Sequence, residues 1–284
     1  MIQTENNKLK TDRAWQQLYG RLEQEGLLPE QSERKGGRSF HLQTLRWAAA
    51  IVFLCLSAAG VWFWNQASPT SSPLLTLHNG EETTTLVTTL EDGSIVYLAN
   101  HTQLQYPEHF ARRRREVSLK GNALFDVSGN RQRPFIIETG STQIEVLGTA
   151  FHVKSDETTP FELSVQRGEV RVMLKENGQT LHVNAGETAL LADGRLRIAP
   201  TADARQFARY TERIQFKDER LADILRVINR HYPTTSLETS PALGERRLTV
   251  SFHEDSPEIM AQLICMALDL TCSRENNRLI LSEP

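Results

Sequence analysis

Histidines, cysteines and paired carboxylates are the side chains best suited to chemistry, and in this 284-residue chain they are scattered. The histidines are His41, His78, His101, His109, His152, His182, His231 and His253, with no His-x-x-x-His pair among them. No Cys-x-x-Cys occurs either, and a metal site needs such spacing to bring two ligands onto one turn. The sequence also lacks a Gly-x-Ser-x-Gly elbow, a phosphate-cradling glycine loop and a dinucleotide fingerprint. Glu91 and Asp92 are adjacent carboxylates, but with Gly93 behind them they read as a turn. Arg112 to Arg115 would suit an anion; lying just before the alternation that starts at Val117, they read as a solvated turn. The chain therefore reads as a non-enzyme with no catalytic, cofactor or metal site. A glycan hydrolase, the enzyme class weighed against this, should show paired carboxylates in a cleft.

The remaining chemistry lies in three cysteines and one apolar stripe. Cys265 falls late in an expected helix and Cys272 in the strand after it, so a disulfide between them is open on spacing alone. Cys55 lies elsewhere, inside an apolar run. Near the N-terminus, Ala14, Trp15, Leu18, Tyr19 and Leu22 fall on one helical face. Gly26 and Pro29 end that pattern, and residues 30–41 read as a linker. Residues 1–46 are too few to bury a core, so an amphipathic helix there needs a membrane or a partner's groove. Its mixed polar face, with Glu23 and Glu25 close by, favours a protein partner bound through Trp15, Leu18, Tyr19 and Leu22.

The elements that hold these residues differ along the chain. Trp47 to Trp64 contains no charged residue, is just long enough to cross a bilayer and carries Trp at both ends. It is expected to be a single transmembrane helix. Arg34, Lys35, Arg38 and Arg46 precede it, and the next Lys or Arg is Arg112. The positive-inside rule then puts residues 1–46 in the cytoplasm and the bulk outside, in the periplasm of a bacterial inner-membrane protein. The net charge of -3 argues against direct nucleic-acid binding.

Residues 65–80, with Pro69 and Pro73, read as a linker. Residues 81–199 read as many short strands, through pairs such as Val117 and Leu119 or Val170 and Val172, separated by Gly-containing turns. That spacing fits a sandwich, barrel or solenoid without choosing among them. From 212 to 284 the pattern becomes α/β, as two strand–helix–strand halves. Asp218 is expected to cap a helix bearing Leu221, Ile224, Leu225 and Ile228, which Tyr232-Pro233 closes. Ser256-Pro257 opens a second helix, and Asn276-Asn277 turns into the last strand. The fold class expected is thus multidomain: mainly β plus α/β, with one transmembrane helix. The small sheet could add a strand from a partner at an open edge.

Several segments together resemble the FecR-type transmembrane anti-sigma regulators, in the form common in Bacteroidetes. They are Leu90-Glu91-Asp92-Gly93-Ser94, Leu104-Gln105-Tyr106-Pro107, Arg115 to Gly121, Ala123 to Val127, Pro134-Phe135, Val146 to Val153, Gly168-Glu169-Val170 and Ala185-Gly186-Glu187, in that order. The chain departs from the family at Asn122, where Glu is usual. The last module is similar to a secretin and TonB short N-terminal domain.

The resemblance implies a signal transducer without a cofactor. The cytoplasmic tail would hold an extracytoplasmic-function sigma factor through the Trp15 helix. The periplasmic part would sense the signalling domain of a TonB-dependent outer-membrane transporter. Periplasmic and intramembrane proteases would then release the sigma factor. The rival reading is an anchored periplasmic binding or envelope protein with an inert tail, which would need no apolar stripe at Trp15.

Overall fold

The computed structural model describes residues 15–18, 20–21, 55–57, 72–80, 84–156 and 159–284. The chain divides into two compact units, Met1–Ala67 and Ser68–Pro284. In the first, residues 15–18, 20–21 and 55–57 are helical. Among the described residues no helix is long and apolar enough to cross a membrane. Of the expected spanning segment 47–64, only residues 55–57 are among those described.

The second unit is mainly β. Its first thirteen strands are β1 (Leu74–Asn79), β2 (Thr85–Thr89), β3 (Ile95–Leu98), β4 (Thr102–Pro107), β5 (Arg115–Asp126), β6 (Phe135–Glu138), β7 (Thr142–Val146), β8 (Ala150–Ser155), β9 (Glu162–Arg167), β10 (Glu169–Leu174), β11 (Thr180–Asn184), β12 (Glu187–Ala192) and β13 (Arg195–Pro200). Two branches share the long strand β5. Its first half pairs with β4 and β6, in a branch that runs from β1 through β4, β5, β6, β7 and β10 to β11. Its second half pairs with β3 and β8, in a branch that runs from β13 through β12, β9 and β8 to β3 and β2.

The crossing is at Gly121, where φ is +106°. A Cβ there would stand 2.6 Å from Thr102 Oγ1 and 2.9 Å from Thr102 Cα, so only glycine fits. The Thr102 hydroxyl accepts the next amide, Asn122 N, at 2.9 Å, which pins the bend. The branches then face one another across a shared core that includes Leu104, Leu119, Phe135 and Val172 from one and Val96, Phe125, Phe151 and Leu163 from the other. This is a sandwich, the arrangement that alternating strands reach when each buries one face.

One stretch expected as linker is a strand. Leu74–Asn79 pairs antiparallel with β4, from Leu74↔Pro107 to Asn79↔Thr102. Pro69 and Pro73 precede it, and the alternation of Leu75 and Leu77 with polar residues lies inside it. Fully buried Asn79 fixes its end: Nδ2 lies 2.9 Å from Thr84 O, 3.0 Å from Leu98 O and 3.1 Å from Ala99 O.

The C-terminal elements are α1 (Arg209–Glu212), β14 (Arg213–Arg220), α2 (Leu221–His231), β15 (Ser236–Thr239), α3 (Pro241–Gly244), β16 (Arg247–His253), α4 (Pro257–Leu268), β17 (Thr271–Glu275) and β18 (Arg278–Ser282). β14 lies parallel to β2, at Ile214↔Thr85 and Gln215↔Leu86, and antiparallel to β16. A separate small sheet has the order β15-β18-β17.

A second core joins the two regions. Val87, Ile95, Tyr97 and Leu124 on the outer face of β2, β3 and β5 pack with Phe207, Tyr210, Phe216, Ile224 and Ile264, among others. All four residues of β3 are buried. The unbroken apolar run Ile95-Val96-Tyr97-Leu98 is the signature of a strand covered on both faces.

Asp218 does not cap α2. It sits at a bulge in β14 with φ +51°, between Phe216 and Glu219, and the strand continues to Arg220. Arg220 takes the N-cap position, with no side-chain cap bond. Buried Asp223 in the first turn supports the helix start instead, paired with Arg220 at 2.8 Å and Arg226 at 2.5 Å. The second helix opens on Ser256 and Pro257, with Ser256 Oγ accepting Ile259 N at 3.4 Å.

Candidate functional site

Of the stripe expected to bind a partner, Trp15 and Leu18 are helical and half-exposed, at 56% and 50%. Tyr19 and Leu22 lie outside the described residues. Trp, with Tyr and Arg, is enriched at the centre of protein–protein contacts.

Asp92, Ser94 and Arg115, from two of the quoted segments, meet at one knot on the sandwich. Arg115 is 1% exposed; Arg112, Arg113 and Arg114 beside it are exposed, so the solvated-turn reading holds for three of the four. Arg115 Nη1 donates to Asp92 Oδ2 at 2.5 Å and to Ser128 O at 2.8 Å, and its Nε donates to Arg133 O at 2.9 Å. Its guanidinium lies 5.3 Å from the centre of the Phe135 ring. Asp92 Oδ1 accepts Ser94 N at 3.0 Å, and Asp92 Oδ2 accepts Ser94 Oγ at 2.7 Å. Ser94 Oγ in turn accepts Ser128 N at 3.0 Å, and Glu91 Oε2 accepts Phe110 N at 2.7 Å. Glu91 and Asp92 therefore tie loops together.

The second polar junction joins the sandwich to α2. Asp126 Oδ1 accepts Arg167 Nη2 at 2.8 Å and Arg230 Nη2 at 2.7 Å, and Oδ2 accepts Arg230 Nε at 2.5 Å. Burial, and then the Asp126 carboxylate, push the nearby Tyr97 phenol well above its usual range. Beside Arg230, an open groove of about 460 Å³ runs between α2 and β15 over Ala222, Leu225 and Leu237. Asn229 closes part of the β15 edge. Its carboxamide donates to Leu237 O at 2.9 Å and accepts Leu237 N at 2.7 Å, as a neighbouring strand would. The other edge of the small sheet, β17, pairs among the described residues with β18 alone, and all five of its residues are exposed.

His152, on β8, is 2% exposed and lies 5.2 Å, ring centre to ring centre, from Tyr210. Burial first, and then Lys154, lower its pKa to about 4, against the opposing pull of Glu162 and Gln206. The unfolded chain therefore binds the proton between about pH 6.5 and 4, and the folded one does not. Stability is expected to fall as pH drops through that window, by on the order of 3 kcal/mol. Urea unfolding of wild type and His152→Gln across that range checks this. The wild-type midpoint should decline more steeply, and equal slopes would contradict it.

Among the described residues, no group of three or more His, Cys, Asp or Glu is placed to hold a metal ion. Cys265 and Cys272 are both present as thiols, the first buried and the second exposed. Asn122, where the resemblance leads one to expect Glu, lies opposite Lys154 in the β5–β8 ladder. Lys154 pairs instead with Glu162 at 3.0 Å, so the exchange leaves no lysine unpaired there.

Residues 79–171 match the family model for FecR protein. Two crystal structures of a "putative anti-sigma factor" from Parabacteroides distasonis ATCC 8503 are similar in part. Each is 22% identical, with TM-scores of 0.46 and 0.44, over 75% of this chain and 100% and 99% of theirs. No curated protein matches the chain. The matched span, about a third of the chain, holds β2 to β9 and the Asp92–Arg115 knot.

Proposed function

We propose that the chain is a membrane-spanning anti-sigma regulator. The FecR match over residues 79–171 carries this reading, and half-exposed Trp15 and Leu18 on a helix support it. Residues 1–46 lie in the cytoplasm and hold an extracytoplasmic-function sigma factor against the Trp15, Leu18, Tyr19 and Leu22 stripe. Burial of that stripe supplies the affinity, and occupation of the sigma factor keeps it from RNA polymerase. Residues 47–64 anchor the chain in the inner membrane, and the β-rich unit stands in the periplasm.

There the unit receives the signalling domain of a TonB-dependent outer-membrane transporter. The β17 edge offers free backbone groups for an added strand, since Asn229 already occupies the β15 edge at Leu237. A single helix transmits a shape change poorly, so cleavage by periplasmic and intramembrane proteases is the release step. Ser57, Ala58, Ala59 and Gly60 give the anchor a stretch of small residues that a protease can unwind.

The test is transcription from the promoters of that sigma factor in uninduced cells. A Trp anchor of a docking face is worth about 2 kcal/mol or more, roughly a 30-fold loss of affinity on truncation. Trp15→Ala should therefore raise uninduced transcription. Equal transcription in wild type and variant, at equal protein level, would contradict the reading.

A further inference from the structure

Cys265 lies on the buried face of α4, and Cys272 is the second residue of β17, with six residues between them. Asp269 is left-handed at φ +55°, and Leu270 N donates to Cys265 O at 2.9 Å. The chain thus turns back over the last turn of the helix. That reversal brings β17 back beside α4, and Cys272 stands opposite Leu281, a residue buried in the same core as Cys265, so it lies on the helix-facing side of the strand.

We infer that Cys265 and Cys272 are a modification site, a thiol pair that closes to a disulfide and pins β17, the edge strand of the small sheet, to α4. The inference deepens the proposed function and rests on its placement of this unit outside the inner membrane, where disulfides persist. The oxidant is another disulfide, R–S–S–R, on a small molecule or an oxidoreductase. Exposed Cys272, as thiolate, attacks one sulfur of R–S–S–R, releases one R–SH and leaves a Cys272–S–S–R mixed disulfide. Cys265, as thiolate, then attacks the Cys272 sulfur and expels the second R–SH. Two protons and two electrons pass from the protein to the oxidant.

Burial pushes the Cys265 thiol up to about 11, so the second attack is slow near neutral pH. The same burial shields the Cys265 side of the finished bridge from a reducing thiol. The structural effect falls on the strand proposed to accept a partner. Among the described residues β17 is paired on one side only, and the bridge ties it to the helix as well. Oxidised protein therefore presents a fixed β17, and reduced protein a looser one.

The test uses the purified full chain with Cys55→Ser, which leaves only this pair, in mildly alkaline buffer with oxidised glutathione. The expected product is lighter by two hydrogen atoms, resists maleimide until reduced, and yields a linked peptide pair holding Cys265 and Cys272. Slower amide exchange in β17 should accompany it. A stable glutathione adduct at Cys272, with Cys265 still free to alkylate after denaturation, would overturn the pairing. Acid-trapped alkylation of the chain in its native cells separates the two ideas. A bridge in cells supports both. Free thiols in cells, beside ready closure in the tube, would overturn the placement while the pairing stands.

Discussion

Asp92→Ala should lower the free energy of unfolding by about 3–5 kcal/mol, the usual cost of leaving one partner of a buried ion pair alone. The substitution leaves the Arg115 guanidinium, 1% exposed, without its carboxylate. It also removes the acceptor for Ser94 N and Ser94 Oγ, and with it the hold on Ser128 N. Total stability of a domain is about 5–15 kcal/mol, so the loss should be visible as a lower urea midpoint with an unchanged slope. Replacing both partners, Asp92→Leu with Arg115→Met, should recover part of the loss, because no charge is then left buried. A loss below about 1 kcal/mol for Asp92→Ala, the scale of a solvent-exposed pair, would show that the knot is open to water.

Phe125→Ala should cost about 3–5 kcal/mol, the range for an aromatic side chain deleted from a closed core. Phe125 is fully buried in the half of β5 beyond the Gly121 bend. Its ring stacks on Phe151 at 5.5 Å with planes 13° apart, and meets Phe135 edge-on at 6.3 Å. The neighbours on either side face outward: Leu124 enters the second core, and Asp126 pairs with Arg167 and Arg230. A cavity at Phe125 should therefore weaken the sandwich and the seating of α2 together. A single thermal transition at lower temperature is the expected readout. Two separated transitions would contradict a shared fold of the two regions.

What could be read from the sequence was whatever a short local pattern determines. The stripe at Leu221, Ile224, Leu225 and Ile228 became α2, because those offsets admit only one helical face. Ser256-Pro257 became a cap and a first-turn proline, because both residues are chosen there for backbone reasons. Asp218 misled because a left-handed Asp at a bulge and a capping Asp look alike until the strand register is known. Leu74–Asn79 was hidden by its prolines, although Leu75 and Leu77 already alternate with polar neighbours.

Arg115 was hidden in a run of four basic residues. Only its partner across 23 positions, Asp92, marks it out, and no local spacing reports such a pair. The covering of β3 by the C-terminal elements had a signal, the unbroken Ile95–Leu98 run, and that signal says that a second layer exists without saying which one. The helical conformation at Trp15 and Leu18 was legible from spacing. The Asp126–Arg230 contact, 104 positions apart, was not, since it depends on how two regions meet.

Under the proposed function the tail holds a sigma factor. The most direct measurement is co-purification of the tagged full chain from its native cells in mild detergent, with mass spectrometry of what it retains. The expected result is one extracytoplasmic-function sigma factor, in near-stoichiometric amount, lost with Trp15→Ala while the variant stays folded and in the membrane. Recovery of no sigma factor from cells that express such factors, or equal recovery with Trp15→Ala, would contradict it.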